Sequence, residues 1–298
     1  MPRLTVKKEK LVSKRLLAVH AHPDDESSKG AATYAHYVAE GVEVLIVTCT
    51  GGERGSIQND GLGPKPMAQR DIAGLRRLEM QAATAAVGFD HVWLGFEDSG
   101  LPENDEPLPL NCFASIPLET SAAPLVEILR RFRPQVVITY DEQGGYPHPD
   151  HIRTHEISMF AIEAAADPGR YPETGEAWKV QKVYYDRVFN TPRIKALMSG
   201  LEREFPDSPL IAELAEINSW MRERPDLATS HIDVGAHLET RDAALRAHAS
   251  QVAPDSRFFF WPNDLLRQFW PWEDFQLVSS TVETKLPESD LFAGIIEE

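Results

Sequence analysis

Two short stretches carry residue types that can hold a metal ion and activate water. The first is His20-Ala21-His22-Pro23-Asp24-Asp25-Glu26, with two imidazoles and three carboxylates. The second, far downstream, is His148-Pro149-Asp150-His151. A catalytic zinc takes three nitrogen or oxygen ligands from protein and keeps a fourth position open for water. His22, Asp25 and His151 form such a set. Iron(II) uses the same ligand types, so the donors do not by themselves select the metal. Asp24, beside Asp25, is placed to act as general base on the attacking water. Tyr146 and His148 are suited to donate to the oxyanion that follows. Asp150 is suited to orient a histidine through a carboxylate–imidazole bond.

The other polar residues of these stretches receive lesser roles. His20 is in strand phase and reads as scaffold, and Glu26 reads as support at a helix start. His155 lies one turn after His151, but no Glu stands between them as in a His-Glu-x-x-His helix.

These residues need rigid elements to bring them together. The apolar run at 16–20 predicts a buried strand ending at the first stretch. Ser27 and Ser28 predict caps for a helix over 29–40, stopped by Gly41. Further strands are predicted at 43–50, 91–96, 135–140 and 182–189. Helices are predicted at 70–87, 123–132 and 151–166. The alternation predicts an α/β fold with a mostly parallel sheet and helices on both faces. In such a sheet the C-terminal strand ends share one edge, so the two stretches can meet across a crevice. Residues 1–14 read as a loose arm and 15–190 as the catalytic core. Residues 191–298 read as a less regular α/β region lining the cleft, within the same domain. Helical stretches fall there near 209–223 and 237–250, followed by an aromatic tail from Phe258 to Trp272.

The 298-residue chain is 42% hydrophobic, with a net charge of −16. That charge repels phosphates, so nucleic acid and anionic membranes are disfavoured as partners. Two cysteines are too few for a disulfide framework or a thiolate metal site. Cys49 reads as a buried small hydrophobe, and Cys112 receives no assignment. A reducing, cytoplasmic setting fits, and no apolar run is long enough to span a bilayer. There is no G-x-G-x-x-G fingerprint and no G-x-S-x-G elbow, against dinucleotide binding and serine hydrolysis. By pattern alone Arg76, Arg77 and Glu79 read as a solvated helix face.

His22-Pro23-Asp24-Asp25-Glu26 together with His148-Pro149-Asp150-His151 resembles the LmbE/PIG-L family of zinc-dependent N-deacetylases. The resemblance implies a Rossmann-like sheet and one Zn2+ on His22, Asp25 and His151. It implies Asp24 as base, Tyr146 and His148 as transition-state stabilisers, and Asp150 behind them. Longer strings match one branch of the family. They are the run from His20 to Ala32, Thr50-Gly51-Gly52-Glu53-Arg54-Gly55, Asp98-Ser99-Gly100-Leu101-Pro102, and Trp261-Pro262-Asn263-Asp264. That branch implies a small-molecule partner, a thiol–sugar conjugate. The amide between glucosamine and S-conjugated N-acetylcysteine in mycothiol S-conjugates would be split, a detoxification step. Sugar–inositol contacts would fall on Glu53, Arg76 and Asp98, and Lys29 would face the cysteinyl part. The alternatives are deacetylation of N-acetylglucosaminyl-inositol, or a non-catalytic sugar-binding module on the same fold.

Overall fold

In the computed structural model, residues 13–63, 65–102, 106–220, 225–256 and 258–296 are described. β1 (Arg15–His20) is apolar on both faces, as a central parallel strand must be. Leu16 and Ala18 enter one core, and Leu17 and Val19 enter the other. All four are fully buried. Burying such a side chain stabilises by roughly 1.5–3 kcal/mol for the larger aliphatics, so β1 anchors both layers.

β2 (Glu43–Thr50), β3 (Asp90–Phe96), β4 (Val136–Thr139), β5 (Lys182–Asp186), β6 (Ser230–Asp233) and β7 (Trp272–Ser280) join it in one sheet. The order across this seven-stranded sheet is β3-β2-β1-β4-β5-β7-β6. The first five strands run parallel; β7 adds antiparallel beside β5, and β6 pairs antiparallel with β7 at the edge. α1 (Asp25–Lys29) and α2 (Ala31–Ala39) link β1 to β2, and α3 (Lys65–Arg70) and α4 (Ile72–Val87) link β2 to β3. α5 (Leu118–Phe132) leads to β4, and α6 (Pro149–Ala166) leads to β5. α7 (Thr191–Glu204) and α8 (Leu210–Trp220) precede β6; α9 (Leu238–Ala247) and α10 (Asn263–Phe269) lie between β6 and β7. α5 and α6 cover one face, while α2, α4, α7 and α9 cover the other. The α/β fold with a mostly parallel sheet is as expected.

Several local expectations are corrected. The first helix begins at Asp25, so Ser27 and Ser28 lie inside it rather than capping it, and it breaks at Gly30. The second predicted helix is split before Ile72, where the Asp71 carboxylate accepts from Gly74 N at 2.9 Å. α5 starts at Leu118 and carries Pro124 internally; its buried Leu125, Val126 and Leu129 hold it in place despite the missing N–H. The fifth predicted strand ends at Asp186. The C-terminal third supplies two strands that were not expected, β6 and β7. Most of the 1–14 arm, and the end of the stretch predicted near 209–223, lie outside the described residues. Among the described residues no helix is long and apolar enough to cross a membrane.

A buried ion pair ties the last residues to the sheet. Lys182 Nζ donates to Glu288, which also accepts from Tyr184 Oη at 2.7 Å. Both charged side chains are almost completely buried. Lys182→Met leaves that carboxylate without its cation and is expected to destabilise the fold by about 3–5 kcal/mol. Urea titration measures it, and an unchanged midpoint contradicts it.

Candidate active site

The strand order reverses between β1 and β4, because the chain runs outward from β1 to β3 and then returns to β1's other side. At such a switch point the loops beyond the carboxyl ends diverge and leave a crevice. The stretch after β1 and the loop after β4 both open into it. That is how residues so far apart in sequence converge.

The convergence is close. Asp25 Oδ2 lies 3.6 Å from His22 Nδ1 and 3.4 Å from His151 Nε2. One ligand atom from each of His22, Asp25 and His151 falls within 4.8 Å of the others. His22, His148 and Asp150 form an adjoining group of the same kind. Asp150 Oδ2 is 3.1 Å from His22 Nε2 and accepts from Ser99 N at 2.9 Å. His151 Nδ1 lies 2.9 Å from the Gly144 carbonyl oxygen, so it carries the proton and Nε2 keeps its lone pair. That Nε2 is buried and has no hydrogen-bond partner. An unmatched, buried imidazole lone pair beside a carboxylate and a second imidazole fits a divalent cation. The close approach also explains Gly144: at its φ of +68° a Cβ would fall 2.5 Å from that of His151.

The electrostatics point the same way. Burial opposes charge on His22, but hydrogen bonds to Asp150, Asp25 and Asp98 outweigh it and raise its pKa well above the ordinary value. Burial likewise opposes charge on Asp25, yet Lys29 and His151 hold it well below the usual carboxylate range. Three carboxylates around His22 thus favour positive charge at this point. His148 behaves oppositely. Burial, then the His22 and His151 imidazoles, push it down to about 3. It is therefore neutral near pH 7. Its Nδ1 accepts from Asp150 N at 3.1 Å, capping α6, which leaves the proton on Nε2 as a donor. Burial raises the Tyr146 phenol, so it too stays protonated. Its ring lies 4.5 Å from that of His151.

Asp24 is held in an uncommon backbone conformation, φ +104°. Such geometry costs on the order of 1–3 kcal/mol and persists only where the surroundings enforce it. Glu26 supplies part of that enforcement by accepting from Asp24 N at 2.9 Å. Arg76 supplies more: it donates to the Pro23 and Gly52 carbonyls and reaches Asp24 Oδ2 at 3.2 Å. Burial raises the Asp24 pKa, with Arg76 opposing and Asp25 reinforcing. Arg76 and Glu79 are buried, which overturns the pattern reading of a solvated face for those two, while Arg77 is exposed as expected. The segment after α9 covers them, and Ser250 donates to Glu79 from both N and Oγ at 2.7 Å.

Sequence reading missed His248. Its Nε2 sits 2.7 Å from Glu26 Oε1, and both residues are completely buried. Burial opposes a charge there, but Glu26 raises the His248 pKa, while His248 helps lower Glu26 to about 2. His20, bonded to Tyr34 Oη at 2.9 Å, is pushed down to about 4 by burial and stays neutral. His155 turns away, with Nδ1 3.0 Å from the Tyr140 carbonyl. Cys49 and Cys112 are free and buried, and burial pushes the Cys49 thiol up to about 12.

The remaining candidates divide. Lys29 pairs with Asp25 Oδ1 and lines a cavity of about 620 Å³ that also borders Asp24, Asp25 and Tyr146. Glu53 accepts from Asp98 N at 3.0 Å. Asp98 is buried, accepting from Arg54 N at 3.0 Å and Gly100 N at 2.7 Å, with Oδ1 3.7 Å from His22 Nε2. Arg76, Glu53 and Asp98 thus brace the site's loops, whereas Lys29, buried and paired with Asp25, lines the cavity.

Asp186 lines the same cavity, and no sequence signal marked it beyond its place at a strand end. Burial raises its pKa to about 7, with Lys29 and Arg187 opposing. A carboxyl raised in the folded state binds more protons there than in the unfolded chain, so stability falls as pH climbs from about 4 through 7. Asp186→Asn removes that loss. Its melting temperature relative to the native protein is expected to be higher at pH 8 than at pH 5; the same offset at both contradicts it.

Fold and site together define a class. Residues 17–162 match the PIG-L family, described as GlcNAc-PI de-N-acetylase, and the chain belongs to that family of amide-hydrolysing enzymes. It is 51% identical to the mycothiol S-conjugate amidase of Streptomyces coelicolor, over 94% of this chain and 97% of that protein. It is 41% identical to a 1D-myo-inositol 2-acetamido-2-deoxy-alpha-D-glucopyranoside deacetylase of Geodermatophilus obscurus, over 95% and 98% of the two chains. The fold is shared with the N,N'-diacetylchitobiose deacetylase of Pyrococcus horikoshii, at TM-score 0.57 and 18% identity, covering 90% of this chain and 84% of that one.

Proposed function

We propose that this protein is a zinc-dependent amidase acting on mycothiol S-conjugates. It hydrolyses the amide between glucosamine and S-conjugated N-acetylcysteine, giving a mercapturic acid and glucosaminyl-inositol. In the cell this is a detoxification step, in the reducing cytoplasm that suits two free thiols. The observation that carries the reading is the 51% identity to an S-conjugate amidase over nearly the whole chain, C-terminal third included.

His22, Asp25 and His151 would hold the zinc. Bound there, the metal supplies Lewis acidity and lowers the pKa of water from about 15.7 towards 7. Asp24 takes the proton of the attacking water as its oxygen bonds to the amide carbonyl carbon. Its raised pKa brings it nearer the operating pH, and Arg76 fixes its carboxylate. His148, neutral with its proton on Nε2, and the Tyr146 hydroxyl donate to the oxyanion. Asp150 holds His22 through Nε2, which leaves Nδ1 for the ligand role. As the C–N bond breaks, the proton on Asp24 passes to the departing glucosamine nitrogen. Lys29 faces the cysteinyl part. Glu53, Arg76 and Asp98 form the sugar–inositol side, acting through the loops they brace.

The 41% identity to a deacetylase supports a second reading, removal of acetate from N-acetylglucosaminyl-inositol. Mass spectrometry of the products from an S-conjugate tests the assignment. An intact mercapturic acid plus glucosaminyl-inositol is expected. Release of acetate with the glucosamine amide intact overturns it.

A further inference from the structure

The cavity that borders Asp24, Asp25 and Lys29 is also lined by Phe189, Leu245, Val252, Phe258 and Phe259. Two of these rings are unusually bare: Phe189 is 40% exposed and Phe258 is 43% exposed. They stack on each other with centroids 5.2 Å apart and planes at 20°. Phe259 meets Phe258 edge to face at 4.9 Å and 86°. The rings come from separate stretches, the loop after β5 and the segment between α9 and α10, so they form a built wall rather than a chance run. Bare aromatic area inside a concavity continuous with a reaction site is the mark of a ligand surface. At about 620 Å³, the cavity falls in the roughly 300–1,000 Å³ range of sites for drug-sized ligands. An acetyl group, or a bare cysteine side chain, would leave most of it unfilled.

The charges on the wall narrow the chemistry. Arg187 is engaged by Asp141 and by Gln276 Oε1. Asp186, Asp24 and Asp25 also border the cavity, and Lys29 is paired with Asp25. An anionic group entering here meets carboxylates and no free cation among the described lining residues.

From this juxtaposition we infer that Phe189, Phe258 and Phe259 form the subsite for the sulfur-borne group of the substrate, and that it selects uncharged aromatic substituents. The inference rests on the amidase reading and adds the substituent class and the residues that set it. A flat ring packs on Phe189 and Phe258, where offset stacking and edge contacts are favourable.

The test compares kcat/KM for three mycothiol conjugates: S-benzyl, S-methyl and S-carboxymethyl. The native protein is expected to favour S-benzyl about tenfold over S-methyl, equivalent to about 1.4 kcal/mol, with S-carboxymethyl poorest. Phe258→Ala and Phe189→Leu are each expected to shrink the benzyl-to-methyl ratio to within about threefold. A loss of folded protein lowers both rates together and leaves the ratio alone, so the ratio isolates the subsite. Product inhibition of the native protein provides a reading free of substitution: S-benzyl-N-acetylcysteine should inhibit about tenfold more tightly than S-methyl-N-acetylcysteine. Equal kcat/KM and equal inhibition for the benzyl and methyl members overturn the subsite while leaving the amidase reading intact. Failure to cleave any of the three conjugates overturns the amidase reading itself.

Discussion

Replacing Asp24 by asparagine is expected to lower kcat by roughly 10²–10⁴-fold, the usual contribution of a positioned general base. The substitution keeps the side chain's size and an oxygen for Arg76, which lies 3.2 Å from Asp24 Oδ2. It removes only the capacity to accept a proton. The three residues proposed as metal ligands are untouched, so zinc content is expected to match that of the native protein. Single-turnover kinetics beside metal analysis checks both halves. A variant that retains native kcat with full zinc contradicts the assignment of the base.

His151→Ala is the second large effect. His151 Nε2 is a buried imidazole nitrogen without a hydrogen-bond partner, facing Asp25 Oδ2 at 3.4 Å. Without it the proposed set falls to one imidazole and one carboxylate, short of the three protein ligands of a hydrolytic site. Bound zinc is expected to drop to below about one-tenth of the native content, and hydrolysis by on the order of 10³-fold or more, because water then loses its activation. Dialysis of the native protein against a chelator should reproduce the loss, and added Zn2+ should restore it. Activity that survives both treatments contradicts metal catalysis. Folding is checked separately by circular dichroism, since His151 Nδ1 also anchors the Gly144 loop.

Much of this site was legible in the sequence because its parts are local. β1 announces itself by an apolar run that stops at His20, and the cluster of charges after it has to sit at a strand end. His148-Pro149-Asp150-His151 stands between an apolar strand and the helix expected from His151, and the helix begins two residues earlier, with Pro149 at its first position. What escaped depends on contacts across the chain. Nothing near His248 marks it, since its meaning comes from Glu26, 2.7 Å away in space and far away in sequence. Arg76 and Glu79 look like surface until the segment carrying Ser250 is laid over them. β7 was hidden because Trp270-Pro271-Trp272 reads as a loop. Its apolar residues come only beyond, starting with the fully buried Phe275.

The Glu26–His248 pair also shows how the outer elements reach the chemistry. It joins the turn that strains Asp24 to the end of α9, and the next segment carries the cavity-lining residues Val252, Phe258 and Phe259. The stretch after α9 therefore touches both the turn of the proposed base and part of the cavity wall.

The preferred substrate is decided by one comparison on the zinc-loaded protein. The values of kcat/KM for a mycothiol S-conjugate and for N-acetylglucosaminyl-inositol are measured side by side. The S-conjugate is expected to be favoured by about tenfold or more, the equivalent of about 1.4 kcal/mol in transition-state stabilisation. A preference for the acetylated sugar would contradict it.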